Sequence, residues 1–344
     1  MRPASGSLRR DAERAVSEIM GVSMLLAMVI TTMGGVIVMM QPFMQDLNDN
    51  REWASASVAA NQFNDRLLVA AEAPEGSGIM VSSAHVAEII RPIKLAEVWQ
   101  ISADLFGNDK ITINFEMNEL EIESVNGTAD EIIIATPLGT QNATLEGGNG
   151  QVILNLVISE WMQIDVLDNQ GNIIHRWVQI PLDGVQLNTN LAEGDFYVDL
   201  INGARIEKLA NDPVDIRLYP RMGHDLTLQN EYRVSLVMLD VDMDGAGFSN
   251  DFSLELISEG PKVFFDEEAR NLRIITDFAS QDGREAKYRH RWTGDYEFHR
   301  ATGELDDFSG FGPYGRISGV EGMTMYPVSD SIQLDVILQQ VVIR

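Results

Sequence analysis

A long apolar run near the N-terminus constrains this chain more than any other feature of its sequence. Residues 15–40 contain one acidic residue, Glu18, and the basic stretch LRRDAER comes directly before them. A helix over residues 16–40 spans about 37 Å at about 1.5 Å per residue, enough to cross the hydrocarbon core of a bilayer with some tilt. A cleavable secretory signal has a shorter apolar core followed by a small-residue cleavage site, and no such site follows this run. The run therefore predicts a membrane-spanning helix.

The charges on either side of the run predict its orientation. Four arginines precede it, the last of them Arg14, whereas Asp46 and Asp49 follow it. Segments rich in Lys and Arg stay on the cytoplasmic side of a membrane. We therefore expect a short cytoplasmic N-terminus, a helix in the cell membrane and an extracellular C-terminal head.

The residues RAVSEIMGVSMLLAMVI, positions 14–30, resemble the N-terminus of archaeal type IV pilins and archaellin-related, pilin-like proteins, which carry a class III signal peptide. The resemblance implies that a prepilin peptidase cuts between Ala15 and Val16. Residues 1–15, ending in Arg14 and Ala15, would then be a charged leader. Ser17, Glu18 and Gly21 would begin the mature helix.

Glu18 has two interpretations. The resemblance implies that its carboxylate pairs with the new amine of Val16 on a neighbouring subunit during filament assembly. Alternatively, Glu18 lies at the level of the lipid headgroups in the first helical turn, where the helix dipole favours a negative charge. The sequence does not distinguish these roles.

A stripe of small residues predicts that this helix packs against other helices. Ser23, Ala27, Thr31 and Gly35 recur every four residues and so lie on one face. Such small-xxx-small stripes let helix backbones approach closely in an apolar medium, where packing drives association. The expected partners are like subunits in a filament. A plain, uncleaved anchor is the alternative.

Composition excludes several classes of function. The formal net charge is −27, from 52 acidic and 25 basic residues, and cysteine is absent. Because phosphate backbones are bound by basic surfaces, we expect no nucleic-acid partner. The absence of cysteine rules out disulfides and thiolate metal sites.

Beyond Pro42 the apolar residues continue at helical spacing. A seam at alternating steps of three and four is formed by Trp53, Ala56, Ala60, Phe63, Leu67 and Ala70. This pattern predicts one N-terminal helix over residues 16–73 that ends at the turn sequence PEGSG. The seam is expected to pack against the head of the same chain.

From residue 79 to residue 344 the apolar period changes to two. Short β-branched stretches are separated by the turn sequences EGGNG, DNQGN, INGA and SEGP. The pattern predicts an α+β protein in which the long transmembrane, pilin-type helix precedes a large, mostly antiparallel β head of one or two sandwiches. If there are two, the polar stretch over residues 181–194 is the candidate boundary.

The sequence DVDMDGAGFSND predicts a candidate calcium loop. Alternating acids before a glycine supply the oxygens that a hard cation needs, here from Asp240, Asp242, Asp244 and Asp251. The alternative is an acidic hairpin tip that binds nothing. No cofactor is required by any other pattern.

Two N-x-T sequons predict glycosylation in an extracellular head. They begin at Asn126 and Asn142 and lie in polar, turn-like stretches. N-linked glycans are added to such sequons on exposed segments of exported proteins.

No nucleophile elbow, HExxH pair or other catalytic constellation is present in the sequence, and we expect no enzymatic activity. The sequence predicts a pilin-like surface protein. With 344 residues, the chain is long for a major pilin, which favours a minor or adhesive subunit of a type IV pilus-like filament. The alternative is a single-pass, membrane-anchored extracellular binding protein that does not polymerise.

Overall fold

The structure is a computed structural model of the whole chain. It describes residues 6–82, 89–116, 119–153, 160–191, 194–209, 213–226, 232–243, 245, 247–249, 253–278, 287–288, 316–317, 320–324 and 332–344. The chain divides into two compact units, one comprising Met1–Ala54 and Leu191–Glu193 and the other comprising Ser55–Asn190 and Gly194–Arg344.

A single helix, α1, covers Gly6–Ala71. It begins ten residues before the predicted start, so that most of the predicted leader is also helical. It continues through Pro42, where a kink or break is the usual effect of a missing backbone donor. The helix ends two residues before the predicted position, because Pro74 follows within three residues and cannot extend it.

Within the described ranges, nineteen strands follow α1. The first ten are β1 (Gly78–Ser82), β2 (Ile89–Asp104), β3 (Ile111–Glu116), β4 (Glu119–Ser124), β5 (Ala129–Thr136), β6 (Gly139–Thr144), β7 (Asn149–Ile153), β8 (Met162–Asp168), β9 (Ile173–Leu191) and β10 (Gly194–Ile201). The others are β11 (Ala204–Leu209), β12 (Asp215–Leu218), β13 (Arg221–Leu226), β14 (Tyr232–Met243), β15 (Phe248–Ser249), β16 (Ser253–Phe278), β17 (Arg316–Ile317), β18 (Val320–Thr324) and β19 (Ile332–Ile343).

The main path of hydrogen-bonded strands has the order β12-β11-β10-β9-β2-β16-β19-β14-β13. Strands β14 and β19 are parallel, from Arg233 opposite Gln333 to Met243 opposite Ile343, whereas neighbours such as β2 and β9 are antiparallel. A branch from β9 leads through β8 and β5 to β6, and β3, β4 and β7 form a small separate sheet. The α+β class with a mostly antiparallel β region is confirmed. The division into one or two sandwiches stays a prediction from the sequence.

Long strands join different parts of the sheet. The first part of β16 pairs with β19, up to Ala269 opposite Ile332, and its last part pairs with β2, up to Phe278 opposite Glu97. The predicted turn SEGP is wrong, because β16 runs through it with a register shift between Ser258 and Gly260. Gly260 has a φ of +81°, so the glycine accommodates a bulge instead of a chain reversal.

Five strands enclose the central core. The buried side chains come from β2, β9, β14, β16 and β19 and include Trp99, Ile180, Met238, Phe264, Phe265 and Leu334. A second cluster lies between β3, β4, β5, β8 and β9 and includes Leu120, Ile132, Ile164 and Trp177. These clusters explain the alternation of apolar residues in the sequence, since one face of each strand is buried.

The predicted boundary over residues 181–194 lies largely within β9. Pro181 pairs with Val98 and Asn188 pairs with Ile89 of β2. Residues on both sides of this stretch belong to one compact unit. The polar residues of this stretch alternate because they occupy the less buried face of a strand. A subdivision near residues 181–194 stays a prediction from the sequence.

The part of α1 after Ser55 packs on the β region, as its seam predicted. Ala60, Phe63, Leu67 and Ala70 are all at most 1% exposed. At the C-terminal end, the Ser258 hydroxyl donates a hydrogen bond to the carbonyl of Ala73 over 2.9 Å. This end of the helix is thereby fixed to the bulge of β16.

Candidate functional site: the uncovered apolar helix and the polar sites of the head

Nothing in the described part of the chain covers the earlier part of α1. Every residue from 18 to 48 is exposed, including Met24 at 77%, Leu25 at 65% and Ile37 at 68%. The stretch over residues 19–47 is about 43 Å long at about 1.5 Å per residue. Among the described residues α1 is the one helix that is long and apolar enough to cross a membrane.

Two hydroxyl groups within this segment are satisfied by the helix itself. Thr31 donates to the carbonyl of Ala27 over 2.7 Å, and Thr32 donates to the carbonyl of Met28 over 2.9 Å. An unsatisfied donor in hydrocarbon costs several kcal/mol, whereas these donors have partners on the same helix. Residues 19–40, which include no charged side chain, are therefore chemically suited to an apolar environment.

The small residues predicted for assembly lie in the same uncovered segment. Gly21, Ser23, Ala27, Thr31 and Gly35 are all exposed. A Cβ added at Gly21 or Gly35 would meet no other group of this chain within 4 Å. The stripe is consequently open to a partner from outside the chain, and its role in assembly stays a prediction.

The predicted cleavage site also lies on α1. Arg14, Ala15 and Val16 belong to the helix, while their side chains are outside the described part of the structure. Glu18 is described and exposed. Cleavage between Ala15 and Val16 and the pairing of Glu18 therefore stay predictions.

A polar cluster that the sequence does not reveal fixes the start of the docked part of α1. The Ser57 hydroxyl donates to Glu207 Oε1 over 2.9 Å, and Arg205 Nη1 donates to Asn61 Oδ1 over 2.7 Å. Glu207 is 3% exposed and also accepts a hydrogen bond from Arg217 Nε over 3.0 Å. The partners are separated by up to 150 residues, so no local motif could have indicated them.

Two of the four predicted calcium ligands are described, and both have other partners. Asp240 Oδ1 accepts a hydrogen bond from the backbone N–H of Asp183 over 2.8 Å, and its Oδ2 accepts one from Gln340 Nε2 over 3.2 Å. Asp242 forms an ion pair with Lys94, which also contacts Asp183. Among the described residues, no group of three or more acidic or histidine side chains is arranged to hold a metal ion. Asp244 and Asp251 lie outside the described residues, so calcium binding there stays a prediction.

Burial dominates the electrostatics of Asp240. It raises the pKa of this carboxyl from 3.8 to about 6, against the opposing effect of the hydrogen bonds from Asp183 and Gln340. Negative charges on Asp183 and Asp242 raise the pKa further. Asp240 is thus a half-buried acid at a junction of three strands, β9, β14 and β19.

The sequon at Asn126 lies in a turn organised by one carboxylate, Asp109. The backbone N–H of Asn126 donates to Asp109 Oδ1 over 2.8 Å, and that of Thr128 donates to Oδ2 over 3.1 Å. The hydroxyls of Ser124 and Thr128 also donate to Oδ2. Burial alone would raise the pKa of Asp109, but these hydrogen bonds outweigh it and lower the pKa to about 2.

The sequon at Asn142 has a different setting. It lies in β6, where Asn142 and Thr144 are exposed and Ala143 is half-buried. Asn142 Nδ2 donates to Glu131 Oε1 over 3.1 Å, across to strand β5. The prediction of a turn-like stretch is therefore wrong for this sequon, because its residues pair in register with β5.

Comparisons with known proteins identify no relative of this chain. No protein-family model matches it, no curated protein matches it, and no solved structure matches it. The function therefore has to be argued from the residues described above.

Proposed function

We propose that this chain is a pilin-like surface protein, a minor or adhesive subunit of an archaeal type IV pilus-like filament that is anchored by α1 before assembly. The observation that carries the proposal is the uncovered apolar segment of α1, in which residues 18–48 are exposed while the residues after Ser55 are packed on the head. One helix therefore joins a segment that needs an external apolar environment to a folded domain.

Two different environments can cover such a segment. A bilayer covers it before assembly, and a bundle of identical helices covers it within a filament. Transfer between the two does not expose apolar surface to water, so the hydrophobic effect does not oppose assembly. The stripe of Ser23, Ala27, Thr31 and Gly35 supports the second environment, because small residues let helix backbones approach each other closely.

Cleavage by a prepilin peptidase between Ala15 and Val16 is part of this proposal. It would remove the charged leader and place a free amine on Val16, two positions before Glu18, whose carboxylate is described. The large β head would then lie outside the cell, on the filament surface. A size beyond that of a simple filament subunit supports a binding or adhesive role.

The decisive experiment is mass spectrometry of the N-terminus of the protein purified from the membrane or surface fraction. A mature chain that begins at Val16 supports pilin-type processing. A chain that retains Arg14 and Ala15 contradicts it and favours the single-pass anchored binding protein.

Assembly itself can be tested with matched substitutions in the same helix. Gly35→Leu should abolish filaments, because the larger side chain keeps neighbouring backbones apart, and Glu18→Ala should remove the pairing partner of the Val16 amine. Met33→Leu, an exposed apolar exchange on the helix face opposite the stripe, serves as the control. Membrane insertion is measured by fractionation and filaments by electron microscopy. An anchor that never polymerises would show membrane insertion for all three variants and filaments for none, including the unchanged protein.

A further inference from the structure

Strand β6 has an open edge. Among the described strands it pairs only with β5, from Glu131 opposite Thr144 to Thr136 opposite Gly139. Its backbone N–H and C=O groups on the other side therefore have no strand beside them in the described part of the chain. Such an edge is a template on which another chain can add a strand.

The devices that usually protect an open edge are absent from β6. The strand GTQNAT contains no charged residue and no proline, and its pairing with β5 has no register shift. Leu138, in the turn just before the strand, is 79% exposed. In a chain of net charge −27, this uncharged strip is a place where two copies would meet with little electrostatic repulsion.

A glycan acceptor lies within this edge strand. Asn142 and Thr144 are two residues apart and therefore project from the same face of β6, and both are exposed. We propose that Asn142 is the N-glycosylated residue of this protein and that its glycan shields the open edge of β6 from pairing with a second copy. The inference rests on the proposed function only in requiring that the head lies outside the membrane.

The chemistry leaves the local contacts of Asn142 intact. The amide nitrogen forms a bond to the anomeric carbon of an oligosaccharide carried on a lipid phosphate. The bond from that carbon to the phosphate oxygen breaks, the lipid phosphate leaves, and the nitrogen loses one proton. The remaining N–H can still donate to Glu131 Oε1, which accepts from this nitrogen over 3.1 Å in the unmodified chain.

The structure separates this sequon from the one at Asn126. The hydroxyl of Thr128 donates to Asp109, and the backbone of the same sequon donates two further hydrogen bonds to that carboxylate. Hydrogen bonds to an ionised group are stronger than neutral ones, so a transferase would have to break a stable turn to bind these residues. The sequon in β6 has one hydrogen bond to a carboxylate, from Asn142 Nδ2 to Glu131 Oε1, whereas the sequon at Asn126 has three to Asp109. This difference favours Asn142 as the acceptor.

Glycopeptide mass spectrometry of the full chain tests the site. The protein is expressed in a host that N-glycosylates exported proteins, together with Glu75→Asn, which creates a reporter sequon with Gly76 and Ser77 in the exposed turn after α1. We expect a glycan on Asn142, none on Asn126 and one on the reporter. A glycan on the reporter with Asn142 unmodified overturns this inference but leaves the head outside the cell. No glycan at any site contradicts both the inference and the proposed placement of the head.

The shielding role is tested with Thr144→Ala, which removes the sequon and keeps the strand. In detergent solution the full-length variant should shift toward the mass of a dimer as its concentration rises, while the glycosylated protein and the Asn126→Gln control do not. Adding Thr140→Lys, a charge on the same exposed face of β6, should restore the unchanged behaviour. A Thr144→Ala chain that behaves like the unchanged protein overturns the shielding role, and so does association that Thr140→Lys leaves intact.

Discussion

The backbone N–H of Asp183 donates a hydrogen bond to the half-buried carboxylate of Asp240, 2.8 Å away, and thereby connects β9 to β14. The contact lies beside the register shift of β2 between Ile93 and Glu97, where Lys94 pairs with Asp183 over 2.8 Å. The backbone N–H of Asp183, which lies at this irregularity in the pairing of β2 with β9, therefore has a hydrogen-bond partner on a third strand. The carboxylate of Asp240 is in turn partly removed from water.

This relationship predicts a pH-dependent stability. Because burial raises the pKa of Asp240 from 3.8 to about 6, the folded chain binds this proton more tightly than the unfolded chain. The contribution of Asp240 therefore favours folding below about pH 4 and is lost as the pH rises through 6. Asp240→Asn should raise the free energy of unfolding at pH 7 by at most about 3 kcal/mol, and the gain should disappear near pH 4.

Denaturant unfolding of the detergent-solubilised chain at several pH values measures this effect. Asp242→Asn is the matched control, since Asp242 is 47% exposed and its ion pair with Lys94 is at the surface. That substitution should change stability by at most about 1 kcal/mol. A loss of stability in Asp240→Asn at pH 7 would contradict the prediction.

We expect a substitution of Asn64, in the docked part of α1, to stabilise the protein. It is 1% exposed, and neither its Oδ1 nor its Nδ2 has a hydrogen-bond partner among the described residues. Asn64→Ala removes two unsatisfied groups and improves helix propensity, so thermal unfolding should show a gain of about 1 kcal/mol. The neighbouring Phe63→Ala, which removes a buried ring, should instead lose about 3–5 kcal/mol. Equal losses for both variants would show that Asn64 is satisfied in solution.

We expect Glu207 to stabilise the docking of α1 on the β region. Its buried carboxylate accepts hydrogen bonds from Ser57 and Arg217. Glu207→Leu should therefore remove the carboxylate that Arg205 and Arg217 share as an ion-pair partner. Since Arg217 is 42% exposed, we expect a loss of about 1–3 kcal/mol, less than for a fully buried pair. Hydrogen exchange should show faster opening of residues 55–61. Asp215→Asn, which affects only an exposed pair with Arg217, should leave that exchange unchanged.

At Gly184 in β9 there is no room for a larger side chain. A Cβ at this position would lie 2.7 Å from the carbonyl oxygen of Leu200 and 2.7 Å from Ile201 Cγ1. Gly184→Ala should therefore cost about 1–3 kcal/mol through displaced backbone. Gly223→Ala on β13, where an added Cβ meets nothing within 4 Å, is the control in the same denaturation assay and should change stability by less than about 0.5 kcal/mol. Equal stability of the two variants would contradict the close approach of β9 and β10.

Local pattern predicted much of the architecture. The apolar run and the seam through Phe63 and Leu67 indicated α1 because helical periodicity is a property of neighbouring residues. The turn at INGA is confirmed, with positive φ values at Asn202 and Gly203 between β10 and β11. The turn at SEGP is wrong because a bulge and a turn use the same residues, and only the partner strand β19 distinguishes them.

The candidate sites were harder to predict from the sequence, because their contacts join residues that are far apart along the chain. The sequons at Asn126 and Asn142 are identical in type, yet one is held by Asp109 and the other lies in an open edge strand. The acids of the calcium motif are visible in the sequence, but the contact of Asp240 with Asp183 joins residues 57 positions apart. Such contacts leave no periodic signal in the chain.

The sequence by itself determined that this protein has a long apolar helix and a β-rich acidic head. The reason is that the spacing of apolar residues and the length of an apolar run are properties of neighbouring residues within one helix or strand. Only the tertiary structure decided which strands are neighbours, such as the parallel pair β14 and β19 from opposite ends of a long chain segment. It also decided which part of α1 is docked and which part is left uncovered. The physical reason is that burial is a property of the assembled surfaces, and the same apolar residue can face a core, a lipid or a second helix.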